Sequence, residues 1–375
     1  MTANKFDYRW KLSELPAPRP DAPKVFSCFA CGGGSSMGYK LAGYDVIGCN
    51  EIDPKIARHY VRNLKPKYHF IEPIQDFKLR EDLPEELYSL DILDGSPPCS
   101  TFSMSGNREK DWGRKKHFRE GQQEQVLDTL FFDFIDLARK LQPKVVIAEN
   151  VKGMLIGEAV DYVIRIREEL EEAGYYVQHF LLNAAKMGVP QRRERVFFLC
   201  LRKDIAEPVL EQATLFEKLP KIDMDFSGEE IPFGEIADEE GDPLQPSVYK
   251  LWKHRKPGDI TLAAACLRVR GKGSFFNNAF AYRDRICPTI TAHAEMIMHV
   301  DTPRQLSKRE VVLASTFPVD YDFGEGKAWG YICGMSVPPV MMAQVASRVR
   351  EQWLEKISRV DAILRENQCP KLPLE

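Results

Sequence analysis

Three short stretches carry side chains that could do chemistry together. Cys99 closes "GSPPC" (95–99), Glu149 stands in "AENV" (148–151), and Gln191, Arg193 and Arg195 alternate in "VPQRRERVFF" (189–198). A thiol, a carboxyl and two guanidinium groups suit nucleophilic attack with a proton donor and anion-stabilising partners. A lone cysteine can also pack, ligate a metal or form half a disulfide. No histidine accompanies the set at ligand spacing, so no metal is expected. The nine cysteines are odd in number and lack a framework spacing, and the N-terminus has no apolar signal core. Free thiols in a reducing, cytoplasmic compartment are expected, with no membrane association. Cys28-x-x-Cys31 finds no partners for a redox or zinc role.

A second group of residues points to a cofactor. "FACGGGSSMG" (29–38) follows an apolar run and precedes a helical pattern. Glycines at such a turn let the backbone approach a ligand and adopt positive φ. The next apolar run ends at Asn50-Glu51-Ile52-Asp53, where an acidic residue can hold a ribose hydroxyl pair. "IQDF" (74–77) could offer a carboxylate and an aromatic ring to an adenine. The pattern fits an adenosine-containing cofactor, either a dinucleotide or S-adenosylmethionine. The loop is not the G-x-G-x-x-G that cradles a pyrophosphate, which tilts the choice toward the methyl donor.

Elements able to position these residues are legible over the first 200 positions. Strand-like runs occur at 24–29, 44–49, 91–94, 144–148, 175–182 and 195–201. Between them, Leu127, Leu130, Phe131, Phe134, Ala138 and Leu141 recur at helical steps, as do Val160, Val163, Ile164 and Leu170. This alternation predicts an α/β fold with a doubly wound, mostly parallel, Rossmann-like sheet. Ligands then bind beyond the carboxyl ends of its strands, where Cys99 and Glu149 fall. The alternation fails from about 202 to 300, and a last helix carries Met341, Val345, Val349, Trp353 and Ile357 on one face. The expected organisation is an N-terminal extension (1–22), a catalytic and cofactor-binding domain (23–201 and 300–375) and a smaller irregular domain (202–299).

Charge is segregated although the net charge is only −3. Arg108, Lys110, Arg114, Lys115, Lys116 and Arg119 crowd one segment. A second runs from Lys253 to Arg285 and includes Arg268, Arg270 and Lys272, while Asp204 to Asp242 is acidic. Two basic segments in an acidic chain suit a polyanion bound on one face.

With these residues in view, the chain resembles the DNA (cytosine-5)-methyltransferase family. "FACGGG…NEIDP", "GSPPCSTFS", "ENVKGM", "LNAAKMGVPQRRERVFF", "LSKREVVLASTFP" and "CGMSVPP" match its motifs in order over most of the chain. The resemblance implies an S-adenosylmethionine-dependent methyltransferase sheet, with 202–299 as the target-recognition domain. It implies methyl transfer to C5 of a cytosine flipped out of duplex DNA. Cys99 would attack C6, Glu149 would serve N3 and the exocyclic amine, Arg195 would hold the base oxygen, and Arg193 would hold neighbouring backbone or the nucleophile's surroundings. Phe29, Gly33, Gly34, Glu51, Ile52, Asp76, Phe77, Pro97 and Ser336 would bind the donor. Glu51 would take the ribose, and Ile52 and Phe77 would sandwich an adenine whose amine meets Asp76. A loop from Ser100 to about Arg119 would close on DNA, with Ser103, Arg108 and Arg119 as contacts and Gly106 and Gly113 as pivots. Gln191, Arg270, Lys272 and Thr289 would also face DNA, with Thr289-Ile290 matching the family's short recognition signature. Asn150 reads as structural.

Two departures stand out: Cys31 and Met335 occupy positions where the family usually has Gly and Asn. They imply altered donor affinity, and they motivate one alternative, a catalytically weakened DNA-binding homologue. The other alternative is an RNA (tRNA) cytosine-5 methyltransferase, a branch that shares Ser-Pro-Pro-Cys but carries a Cys-Phe-Thr not found between 200 and 300. The expected enzyme is a monomeric, prokaryote- or phage-like, nucleoid-associated protein. It could serve restriction-modification beside an endonuclease that it need not touch.

Overall fold

The computed structural model describes residues 5–98, 115–116, 125–126, 129–157, 159–210 and 220–360. Its centre is a seven-stranded sheet of β1 (Lys24–Cys28), β2 (Asp45–Asn50), β3 (Tyr68–Phe70), β4 (Ile92–Gly95), β5 (Val145–Val151), β6 (Tyr175–Asn183) and β7 (Glu194–Arg202). The spatial order is β3-β2-β1-β4-β5-β7-β6. Pairings from β3 through β5 are parallel, and β7 runs antiparallel to both β5 and β6. All six strand-like runs in the sequence are strands. The three-residue β3 is too short and polar to show as a run.

The strands read as continuous apolar runs because both faces are covered. Val25, Ile92, Val145, Ile147 and Phe197 point into one core, while Phe26, Leu93, Val146, Ala148 and Phe198 point into the other. The first core is closed by α1 (Gly34–Leu41), α2 (Pro54–Leu64) and the C-terminal α11 (Pro339–Val349). The short α3 (Ile74–Phe77), α4 (Leu130–Leu141) and α5 (Ala159–Glu172) cover the second. The α4 periodicity holds, with Leu130, Phe131, Phe134, Ala138 and Leu141 buried; Leu127 lies outside the described residues. The α5 face is corrected. Val160 and Ile164 are 41% and 47% exposed, and the buried stripe runs through Tyr162, Val163, Ile166 and Leu170.

Met341, Val345, Val349, Trp353 and Ile357 are all buried. A strict four-residue stripe drifts about 40° per step around a regular α-helix. Here the helix passes through a π turn at Arg350–Leu354, whose wider turn keeps the stripe on the core. Near the other end of the chain, Trp10 Nε1 donates to the Thr316 carbonyl at 2.9 Å. The backbone N–H groups of Leu12 and Ser13 donate to the Asp320 carboxylate.

Past β7 come a one-turn α6 (Glu207–Leu210), α7 (Pro246–Trp252) and α8 (Leu262–Arg270), with β8 (Ala279–Ala281) paired parallel to β9 (Ile297–His299). Leu251, Trp252, Leu262, Cys266, Phe280 and Met298 build a separate small core. Ile222, Met224, Phe233 and Ile236 pack on the first sheet core instead. Then α9 (Lys308–Ala314), started by a Ser307/Glu310 capping box, and α10 (Ala328–Met335) lead back to α11. Among the described residues no helix is long and apolar enough to cross a membrane.

Candidate active site

A cleft of about 870 Å³ opens along the carboxyl edge of the sheet. Strand direction explains how residues distant in sequence meet there. β1, β2, β4 and β5 all end at this edge, and β7, being antiparallel, begins at it. Glu149 near the end of β5 therefore lies close to Arg195 near the start of β7. Arg195 Nε sits 2.9 Å from Glu149 Oε1, both side chains being largely buried. Burial lowers the Arg195 pKa and the neighbouring carboxylate opposes that shift. Asn150, adjacent in β5, donates from Nδ2 to the Pro97 carbonyl at 3.0 Å and accepts from the Val151 N–H. That bond fixes the turn leaving β4, whose Pro97 and Pro98 line the cleft. Cys99, Ser103, Arg108 and Arg119 lie outside the described residues.

Arg193 also lines the cleft, at 2% exposure. Nη1 donates to the Ile290 carbonyl at 2.8 Å and Nη2 to the Gly334 carbonyl at 3.0 Å. It joins the β8–β9 connection to α10, and burial lowers its pKa well below the ordinary value. Gln191 is not placed for DNA. It is 1% exposed, donates to the Ala314 carbonyl at 3.1 Å and accepts the Ile290 N–H at 3.0 Å. Both ends of its amide are consumed inside the protein, which corrects the sequence expectation. Thr289 is exposed on the cleft, its hydroxyl donating to the Arg192 carbonyl at 2.5 Å. Arg270 and Lys272 are exposed at the end of α8 and just beyond it.

At the other end of the cleft, Glu51 ties two backbone segments together. Its Oε2 accepts the Cys31 N–H at 2.7 Å and its Oε1 the Asp53 N–H at 2.9 Å. Burial raises its pKa while these N–H bonds oppose the rise. Phe29, Ile52 and Cys31 line the cleft beside it. Gly33 has φ 88°, and a side chain on Gly34 would come within 2.3 Å of the Val337 carbonyl, so both positions need glycine. Cys31 adopts φ 46°, a left-handed conformation that costs about 1–2 kcal/mol for a residue with a Cβ. Ser336, at 4% exposure, packs against Gly34, and Met335 borders the cleft. Burial pushes the Cys31 thiol up to about 12 and the Cys28 and Cys333 thiols well above their ordinary value. None of these three is a thiolate at neutral pH.

The expected adenine contacts need a second correction. Phe77 is fully buried, its ring stacked on Phe26 at 5.5 Å and tilted against Phe70 at 4.7 Å, and Asp76 is exposed away from the cleft. Glu72 and Ile74, a few residues earlier, line the cleft in their place. Sequence reasoning also passed over Asp94. This buried carboxyl at the end of β4 accepts hydrogen bonds from the hydroxyls of Ser27 and Tyr39.

Comparisons with known proteins point to one family. A family profile described as C-5 cytosine-specific DNA methylase matches residues 23–351. The Type II methyltransferase M.FnuDI of Fusobacterium nucleatum is 30% identical over 368 residues, covering 89% of this chain and 96% of that protein. M.DdeI of Desulfomicrobium norvegicum, also a Type II methyltransferase, is 27% identical over 90% of each chain. Among solved structures, DNMT2 of Spodoptera frugiperda superposes with a TM-score of 0.59 at 16% identity, over 90% of this chain and all of that one. That likeness concerns the fold.

Proposed function

Because the chain belongs to the C-5 cytosine-specific DNA methylase family and is a DNA (cytosine-5)-methyltransferase, we propose the following division of labour in its cleft. Cys99 is the nucleophile, following directly on the Pro97–Pro98 turn that Asn150 holds. Cytosine C5 is a weak nucleophile, and thiolate addition at C6 makes it enamine-like; once C5 has taken the methyl, loss of the C5 proton to a base restores the ring and expels the Cys99 thiolate. Glu149, a carboxylate in its ion pair with Arg195, takes up a proton as the base enters and shares it with N3 as negative charge builds there, and Arg195 keeps Glu149 oriented and faces the base oxygen. Arg193 fixes the two backbone segments that frame the base. The observation that carries this reading is the buried Glu149–Arg195 ion pair on the cleft wall, beside the turn that leads into Cys99.

The donor that fits is S-adenosylmethionine, which supplies an electrophilic methyl carbon. Glu51 would hold the ribose hydroxyls, Ile52 and Ile74 the adenine faces, Glu72 the adenine edge, and Pro97 and Ser336 the amino-acid end. Ser336 Oγ supports this fit, being buried in the small chamber beside the cleft with no partner stronger than the Cys31 thiol. Arg270, Lys272 and Thr289, with Ser103, Arg108 and Arg119, would contact duplex DNA from which the target base is flipped. We place the target-recognition unit in the irregular region after β7, with residues 244–300 supplying its own core. The relatives are named Type II methyltransferases; this enzyme would act as a monomer in restriction-modification, with its endonuclease partner not in physical contact.

Incubation with labelled donor and either duplex DNA or tRNA, followed by base mapping, tests the reading. The expected product is 5-methylcytosine in DNA alone. Label in tRNA, or on adenine, would overturn it.

A further inference from the structure

A small chamber of about 20 Å³ adjoins the main cleft and shares Phe29, Cys31, Ser96 and Met335 with it. Its volume suits one ammonium-sized group, so the rest of a ligand held there would extend toward the adjoining cleft. Its other walls are Ser27, Asp94, Ser336 and the first turn of α1 at Gly34 and Ser35, with Cys28, Ala30 and Val337 as apolar lining. Asp94 is 1% exposed and has no cationic partner among the described residues. Its hydrogen-bond donors are the Ser27 hydroxyl at 2.5 Å and the Tyr39 hydroxyl at 3.2 Å. A buried carboxylate without a cation is costly to keep. The cost makes sense where a cation arrives from outside.

The opposite wall favours an anion. α1 begins at Gly33 with no side chain capping it, so its first-turn N–H groups face the chamber end. Beside them Ser336 Oγ is buried, with the Cys31 thiol as its weak hydrogen-bonding partner. A carboxylate acceptor on one side and hydroxyl and N–H donors on the other make a receptor for a zwitterion. The α-amino acid end of the proposed donor carries that pair of charges.

Resting on the S-adenosylmethionine reading of the cleft, we propose that Asp94 recognises the ammonium group of the donor's amino-acid end, with the helix start and Ser336 taking its carboxylate. Ser27 and Tyr39 hold the Asp94 carboxylate in place. The enzyme then selects donors bearing a free amine, a preference set by β4 rather than by the glycine loop.

The test is equilibrium binding by calorimetry, independent of turnover. S-Adenosylhomocysteine and its des-amino analogue are titrated into the full-length native enzyme and into Asp94→Asn, which keeps the size of the side chain and one acceptor oxygen, the other hydroxyl turning to accept from the amide NH2. The native enzyme should prefer the amine-bearing ligand by about 10- to 100-fold, as expected for a buried charge-assisted hydrogen bond. In Asp94→Asn that preference should shrink to within about threefold, with affinity for the des-amino analogue little changed. Equal affinities in the native enzyme, or a variant that weakens both ligands alike, would overturn the assignment. Failure of the native enzyme to bind either ligand would overturn the donor reading itself and this inference with it.

Discussion

Glu149 and Arg195 are diagonal neighbours across the antiparallel β5–β7 ladder. Arg195 is in register with Val151, and its Nε reaches Glu149 Oε1 at 2.9 Å. The pair holds a carboxylate and a cation in fixed relation at the cleft wall. Glu149→Gln removes the transferable proton and preserves size. Its single-turnover methylation rate should fall about 10²- to 10⁴-fold, as for loss of a general acid, with DNA affinity retained. A rate within a few fold of native would remove Glu149 from the chemistry.

Arg193 is a structural clamp as well as a cleft residue. Arg193→Ala strands the Ile290 and Gly334 carbonyls, each at a cost of about 1–3 kcal/mol. Thermal unfolding should show a clearly lowered Tm, with a raised KM for DNA because the Thr289–Thr291 segment loses its anchor. Arg193→Lys, able to reach one carbonyl, should fall between. An unchanged Tm in Arg193→Ala would show that the clamp contributes nothing.

The contrast between Arg193 and Gln191 shows what sequence alone could reveal. Their alternation before an apolar strand placed both near the cleft. Only the fold shows that the partners of Gln191 come from Ile290 and Ala314, about a hundred residues away. Likewise, "IQDF" offered the right residue types for an adenine, but the second sheet core has an aromatic slot that claims Phe77 and turns Ile74 and Glu72 to the cleft. The six main strands were legible because both sheet faces demand apolar residues. β3 gave no such signal. Asp94 was invisible because one acid in an apolar run has no partner in sequence; its partners, Ser27 and Tyr39, lie 67 and 55 residues away.

Glu310 joins the region after β7 to α9. Burial alone would raise its pKa, but hydrogen bonds from His299, Arg304 and the Asp238 and Ser307 N–H groups outweigh that and hold it at about 2, below its ordinary 4.5. A carboxyl depressed on folding stabilises fully above its unfolded pKa, and that stabilisation drains as pH falls toward the folded one. Native unfolding free energy should therefore decline from about pH 4.5 toward about pH 2. Glu310→Gln should be less stable at neutral pH by about 3–5 kcal/mol and show a shallower acid slope. Parallel acid slopes would contradict this.

Asp94 carries the opposite sign. Burial raises it to about 7 from 3.8, with Ser27 and Tyr39 opposing the rise. The folded protein holds this proton longer than the unfolded chain, so Asp94 lowers stability progressively between those values and fully above about 7. Asp94→Asn should stabilise the ligand-free enzyme at mildly alkaline pH by a few kcal/mol at most, on the order of 1–4. Denaturant melts of the two ligand-free proteins at about pH 5 and pH 8 check this. A variant less stable than native at the higher pH would refute it.

The central claim is that Cys99 attacks the target cytosine, and covalent trapping tests it most directly. A duplex carrying 5-fluorocytosine at the methylated position is incubated with enzyme and S-adenosylmethionine, denatured, and the bound peptide sequenced by mass spectrometry. The account predicts a stable adduct on the peptide containing Cys99, and none with Cys99→Ser. An adduct on any other residue, or undiminished trapping by Cys99→Ser, would contradict it.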